Sequence, residues 1–327
     1  MKRYYAALLS CAVFPRLILA VNDGRVHSVI IGLPDEGAAS LEPAAGFQNE
    51  FEEAAIRSVY ETLLRPKSGS LSEFEPALAA AVPSTRNGLI SQDGCEYRFP
   101  IRHGVRFQDG TFLSAQDVRY SFLRTVLSKD RPGNQSLALL SALDISTSSP
   151  APSAKEVFQA AAQAIQVAGD QIVIHLKRPY SPLLALLTRT PLVCSMAWCS
   201  KHGEWDGSER QWMYWTEGFN ALGTSYLRVH ANGTGPFRLS RTPSASLNRR
   251  LKALVLEKNP LYWGHLETVD EIRLQAAKNF GAAETWLKTG KADAIGIPPR
   301  RNQRLPLFCW RPPLGVPQPH ACSHHFF

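Results

Sequence analysis

Cys194 and Cys199, five positions apart and followed by His202, are side chains whose types and spacing could do chemistry. Two thiolates and an imidazole can ligate a soft metal ion, and two thiols that close can form a disulfide in an oxidising compartment. No CxxC occurs, so the same spacing also reads as an apolar loop that holds two small thiols. A second donor group, His320, Cys322, His324 and His325, lies in a basic stretch without hydrophobic period, where fortuitous metal affinity is expected rather than a dedicated site. Trp198, Trp205, Trp212, Tyr214 and Trp215 offer either ring faces for stacking a ligand or a hydrophobic cluster beneath a long loop. The sequence contains no GxSxG, HExxH, GxGxxG or GxxxxGK[ST]. The common hydrolase, zincin, dinucleotide and P-loop chemistries therefore lack their anchoring geometry, and the residues point to binding rather than turnover, with no cofactor implied.

The elements that must position these groups alternate between two periods. Val26 to Leu33 is a β-branched run stopped by Pro34, read as a first strand. Asn49 is placed to cap a helix running to about Leu64, with Phe51, Ala55, Val59 and Leu63 on one stripe and Glu50, Glu52 and Glu53 in its first turn. Tyr97, Phe99 and Ile101 alternate with polar residues in a strand that Pro100 restricts to an edge or a bulge. His103-Gly104 and Asp109-Gly110 turn the chain on either side of a second short strand, Val105–Phe107. Ser114 then caps a helix whose third residue, Asp117, returns the bond. Ser153 and Glu156 repeat that pattern, and the apolar spacing predicts a helix from there to Ala168, ended by Gly169. Ile172, Ile174 and Leu176 mark a strand, and Ser181-Pro182 opens a short helix. Further strands are predicted at Pro236–Arg241, Leu251–Glu257 and Val269–Leu274, and a helix over about Ala282–Thr289 that stops at Gly290. Interleaved helices and strands give an α/β class with mixed sheets.

The chain has 327 residues, 44% hydrophobic and 20% charged, enough to bury a core without covalent staples. Its formal charge of +8 is concentrated at the ends. Lys2, Arg3 and Arg16 stand without an acid before residue 21, and Arg300, Arg301, Arg304 and Arg311 without one after residue 297, which leaves about +1 for everything between. No nucleic-acid partner is expected of so neutral a body. Residues 1–20, with a basic start and an apolar run ending at Ala20, read as an export signal; Leu8-Leu9-Ser10-Cys11 also resembles a lipoprotein acylation site. Without Cys11, five cysteines remain, so at least one is unpaired or pairs between chains. Residues 298–327 hold seven prolines and no acid. They are expected to form an unstructured tail rich in Pro, Arg and His.

Residues 93–122, DGCEYRFPIRHGVRFQDGTFLSAQDVRYSF, resemble the signature of the family 5 extracellular solute-binding proteins, the peptide-binding subunits of ABC importers. The pattern there is a DG turn, a strand, a hairpin around "GV.F.DG" and a capped helix. Asn232-Gly233-Thr234-Gly235-Pro236-Phe237 is similar to that family's "GTGPF" turn. LEKNPLYW at 256–263, GKADA at 290–294 and Ser40-Leu41-Glu42-Pro43 resemble three further stretches. The resemblance spans about residues 26–297.

The resemblance implies a periplasmic-binding-protein type II-like fold in which a solute is held between two lobes that close on a hinge. It implies a first lobe that is nearly complete, residues 21–297 holding it with the start of the second, and a second lobe mostly missing. The expected activity is substrate binding for an ABC transporter of di- or oligopeptides, impaired by that loss. The alternative is a non-functional or repurposed fragment that acts only as a structural or interaction domain. By position, Gly46, Phe47, Gln48 and Asn49 fall where relatives touch the ligand backbone, Asn134 and Gln135 near a second lining segment, and Asn232 and Thr234 near the interlobe crossover. Asn49 reads equally as a helix cap and nothing more, and Gly233 and Gly235 read as turn formers. The partners implied are a peptide or other small solute and permease subunits in the inner membrane, met by a monomer in the periplasm.

Overall fold

The computed structural model describes residues 6–11, 14–20, 26–44, 47, 49–68, 70, 72–127, 139, 141–145, 153–212, 225–241, 250–265, 269–297 and 307–310. In chain order the strands are β1 (Ala6–Cys11), β2 (Phe14–Ala20), β3 (Val26–Pro34), β4 (Leu64–Pro66), β5 (Phe74–Pro76), β6 (Glu96–Pro100), β7 (Ile165–Ala168), β8 (Gln171–His175), β9 (Phe237–Leu239), β10 (Ala253–Lys258), β11 (Val269–Ala277), β12 (Ala294–Ile297) and β13 (Leu307–Trp310). The helices are α1 (Glu50–Val59), α2 (Ala115–Leu127), α3 (Ala154–Ala164), α4 (Leu183–Leu186), α5 (Met196–Lys201) and α6 (Phe280–Thr289), with a 3-10 turn at Tyr226–Arg228. No helix among the described residues is long and apolar enough to cross a membrane.

The larger sheet has the order β13-β12-β3-β11-β10-β9. Its centre is parallel: β3 runs beside β11 from Val26 opposite Val269 to Pro34 opposite Ala277, and beside β12 at Ile31 and Gly32. Hydrophobic residues on both pleats of β3 follow from this central position. Val29, Ile31 and Leu33 are buried in the main core, which also holds Phe51, Ala55 and Val59 of α1. Ile30 lies on the opposite pleat and packs with Trp286 and Leu287 of α6 on a smaller cluster built on Ala277, Ala283, Ala292 and Ile295. Gly32 shares that pleat, where a Cβ would stand 3.1 Å from the Trp286 ring. The smaller sheet, β6-β8-β7, is antiparallel and packs against α2 and α3. Pro100 sits on its edge strand, where a missing N–H costs no ladder bond.

Four sequence expectations change. The helix capped by Asn49, expected to run to about Leu64, ends at Val59, and Leu64–Pro66 forms β4, paired with β5. The helix opened by the Ser153–Glu156 box ends at Ala164, and residues 165–168 form β7, hairpinned onto β8 with Ala168 opposite Gln171. Ile165 and Val167 prefer a pleated surface, and Gly169, at φ 64°, supplies the first residue of a two-residue turn; pairing with Ile172 and Ile174 overrides the alanine-rich helical period. The tail expected to be unstructured contributes β13, which pairs antiparallel with β12 from Ala294 opposite Trp310 to Ile297 opposite Leu307. Leu-Phe-Cys-Trp between Pro306 and Arg311 is an apolar run of the right length for an edge strand. The Val105–Phe107 stretch, expected as a strand, carries only the isolated Arg106–Phe112 bridge, with Phe107 N donating to Thr111 O, and joins no ladder.

Candidate functional site at the carboxyl edge of the sheet

Parallel strands end together, and the crevice outside their carboxyl ends is where a ligand meets loops and helix N-termini. β3 ends at Pro34, and the next residue ties the edge closed: Asp35 N donates to Leu33 O at 2.8 Å and to Ala277 O at 3.0 Å. The loop from Asp35 to Asn49 then crosses this edge before α1 begins. Asn49 caps α1 as its type predicts. Its Oδ1 accepts from Glu52 N at 2.8 Å, and its Nδ2 donates to Gly37 O at 3.0 Å.

Every described part of the loop is pinned. Ala38 pairs with Leu251 in both directions, Ala39 N donates to Glu52 Oε1, and Leu41 N donates to Arg228 O. Arg250 donates to Gly37 O and lies 3.6 Å from Glu36. Glu42 is fixed most firmly. Its carboxylate receives Arg124 of α2 in two bonds, at 3.1 and 2.7 Å, and Ser225 Oγ at 2.7 Å. Arg124 also reaches Glu204 Oε2 at 2.6 Å and the Tyr120 hydroxyl at 3.1 Å. All of these groups are buried. Burial pushes the Glu42 carboxyl up, but the charge and hydrogen bonds of Arg124, with Ser225, outweigh it and hold the group below the usual glutamate range. A loop held by so many bonds is preorganised, so little ordering entropy is left to lose when a ligand arrives.

What this edge offers a ligand is a pair of neighbouring carboxyl groups, Asp35 and Glu50. Glu50, the first residue of α1, has an Oε2 atom out of contact with solvent and, among the described residues, without a hydrogen-bond partner. Burial first, then Asp35 and Glu53, push its carboxyl up to about 7. Asp35 is also raised by burial, although backbone N–H groups and Arg250 counter the rise. A Cβ at Gly296, in β12, would stand 3.0 Å from Glu50 Oε2, so that carboxylate lies over the ends of β3 and β12. Two neighbouring carboxyls of this kind have acceptor oxygens suited to a cationic donor.

The sequence profile described as Bacterial extracellular solute-binding proteins, family 5 Middle, matches residues 73–306. The chain belongs to this family. Protein XP55 of Streptomyces lividans is 26% identical to it over 273 residues, 84% of this chain and 40% of that protein. The fold matches the periplasmic binding protein DppA from Helicobacter pylori in complex with peptide STSA, with TM-score 0.56, 23% identity and coverage of 83% of this chain and 46% of that one. It also matches the periplasmic oligopeptide-binding protein OppAIV from Borrelia burgdorferi at TM-score 0.56, 23% identity, 83% of this chain and 48% of that one. NikZ from Campylobacter jejuni, in complex with Ni(L-His), shares the fold at TM-score 0.54 and 20% identity, over 83% of this chain and 43% of that one. The family 5 chain has the mixed α/β, type II binding-protein fold and spans less than half the length of these relatives. Family and fold are those of binding proteins of transporters, which are not enzymes.

The residues that the family resemblance suggested fall into three groups. Phe47 and Asn49 lie on the loop at the carboxyl edge, Phe47 beneath the Arg57 guanidinium at 4.9 Å. Asn232 and Thr234 are buried at the C-terminal end of α1, where Gly235 N donates to Val59 O. Asn232 Oδ1 accepts from Asp109 N, and Thr234 Oγ1 donates to Glu61 Oε2 at 2.9 Å. Gly46, Gln48, Asn134 and Gln135 lie outside the described residues. Gly233 and Gly235 serve close approach: their added Cβ atoms would stand 2.0 and 2.6 Å from Val59 O, which accepts from Gly235 N at 2.8 Å.

Three charged groups escaped the sequence reading. Glu61 accepts from Thr234, from Trp263 Nε1 at 2.9 Å and from Tyr262 at 3.4 Å, so one carboxylate ties the end of α1 to the GTGPF turn and the YW pair. Burial outweighs these hydrogen bonds and pushes its carboxyl up to about 7. The Arg124–Glu204 partnership was equally invisible, because the residues are eighty positions apart. Only Glu42 carried a signal, as part of Ser40-Leu41-Glu42-Pro43. Of the aromatic group, Trp205 is stacked on Tyr120 at 5.3 Å and meets Trp212 edge-on, both inside the core. His202 is turned away from the two cysteines, its Nδ1 on Trp198 O and its ring on Tyr226.

Proposed function

We propose that the chain is exported and serves as a ligand-holding lobe of a substrate-binding protein for short peptides, delivering them to the permease of an ABC importer and catalysing no turnover. One observation carries the reading: a preorganised loop at the carboxyl edge of the sheet, with an unspent carboxylate beside Asp35, in a chain of a solute-binding family. A peptide offers the matching chemistry, an ammonium for Asp35 and Glu50 and a backbone for Phe47, Asn49 and the neighbouring Gly46 and Gln48. Peptide complexes among the structural relatives support the choice of solute. Asn134, Gln135, Asn232 and Thr234 remain proposed as lining or crossover positions of the assembled clamp.

For the 327-residue polypeptide by itself the affinity is expected to be weak, because a clamp gains binding energy from both lobes and from desolvating the ligand on closure. The test is a titration of the 15N-labelled chain with tri- and tetrapeptides at millimolar concentration, followed by amide chemical shifts. Residues 35–52 should move, and N-terminal acetylation of the peptide should abolish most of the change. Shifts confined to another face, or an unchanged response to the acetylated peptide, would remove Asp35 and Glu50 from the binding role. The alternative, a repurposed interaction domain, requires a partner protein bound on a surface that peptides leave untouched.

A further inference from the structure

Cys194 and Cys199 are buried, lie outside the ligand edge and are used by nothing described so far. Ser195 caps α5, its Oγ accepting from Trp198 N at 3.2 Å, which places Cys194 immediately before the cap and Cys199 at the fourth helical position. Side chains at those two positions meet across the first turn, the contact that a pair of apolar residues makes in a hydrophobic staple. Here both are thiols. Cys194 is held from outside the helix as well, with its N–H on Ser121 Oγ at 3.0 Å and its Sγ 3.6 Å from the same hydroxyl. Contact with the Cys194 thiol, together with burial, raises the Cys199 thiol well above its usual range.

We propose that Cys194 and Cys199 form a disulfide when the chain folds in an oxidising compartment. A low-molecular-weight disulfide such as oxidised glutathione is the oxidant. One cysteine thiolate attacks it, releasing a glutathione thiolate and leaving a mixed disulfide. The second cysteine thiolate attacks the protein sulfur of that bond, releasing the other glutathione. Two protein thiols are oxidised, one glutathione disulfide is reduced to two thiols, and the two cysteine protons pass to solvent or to the leaving thiolates. Because both sulfurs are buried in the finished fold, the exchange takes place before the core closes. The bond reaches the ligand edge through Glu204: Cys199 O accepts from Glu204 N at 3.0 Å, and the Glu204 carboxylate binds the arginine that holds Glu42.

The inference depends on the export reading only for where the oxidant is met, and its test supplies the oxidant directly. The reduced, denatured full chain is refolded in a glutathione redox buffer, free thiols are alkylated, and the protein is digested with trypsin. The peptide Thr190–Lys201 contains both cysteines and should be recovered unalkylated and lighter by two hydrogens than its reduced form. The refolded chain should also lose several degrees of Tm on reduction, a loss that the C194S/C199S double variant should not show. Recovery of that peptide with two alkyl groups, or of either cysteine joined to Cys95 or another chain, would overturn the proposal. A Tm that is equal in both redox states of the parent chain would overturn the bracing role.

Discussion

Glu61 ties the end of α1 to the GTGPF turn and the Tyr262-Trp263 pair, and its loss should be correspondingly costly. Glu61→Ala leaves the Trp263 and Thr234 donors without an acceptor, and the expected destabilisation is about 2–5 kcal/mol by denaturant unfolding. Glu61→Gln keeps an acceptor for both and should cost far less. Its signature is in the pH profile. A carboxyl raised to about 7 when folded, against 4.5 when unfolded, keeps its proton in the native state over a range where the unfolded chain has lost it. Stability from this group is therefore full below pH 4.5 and is lost as pH rises through about 7, by about 3 kcal/mol in all. The Gln variant should lack that fall; an unchanged slope would show that Glu61 titrates normally.

Glu50 gives a second pH signature, in binding. Above about 7 it adds its charge to that of Asp35, so the 15N titration should saturate at lower peptide concentration at pH 8 than at pH 6. Arg124 gives a third test. Arg124→Met would leave Glu42 and Glu204 buried without their cation, at an expected cost of about 3–5 kcal/mol; a stable variant with an ordered 35–44 loop would contradict the bracing role.

At the scale of elements, close backbone approach is the feature most sensitive to a single atom. Gly233→Ala places a methyl group 2.0 Å from Val59 O, and the strain should cost about 1–3 kcal/mol or more, read from the midpoint of denaturant unfolding. Most elements were legible because caps and periods act locally. Asn49, Ser114 and Ser153 start their helices, Gly290 ends α6 at φ 77°, and Pro100 sits on an edge. Helix-period alanines failed at β7, where sheet pairing outweighed propensity, and the apolar 307–310 run was hidden by its proline-rich surroundings.

At the scale of the whole molecule, the sequence motifs identified the family, and the resemblance put the loop before α1 forward as a ligand contact; of the two carboxylates proposed to give it its chemistry, Glu50 was read only as a first-turn helix acid and Asp35 was not singled out. Their role depends on the parallel order β12-β3-β11, a long-range property that no local pattern contains. The same is true of the Arg124 brace and of Glu61. As proposed, one such lobe presents peptide-complementary chemistry but supplies only part of a clamp's binding energy. Titration calorimetry of the purified 327-residue chain with di- to pentapeptides tests it most directly. Losing the contacts of a facing lobe should weaken binding by about 2–5 kcal/mol, so the expected dissociation constants lie above about 100 μM. A submicromolar peptide complex formed by the chain alone would contradict it.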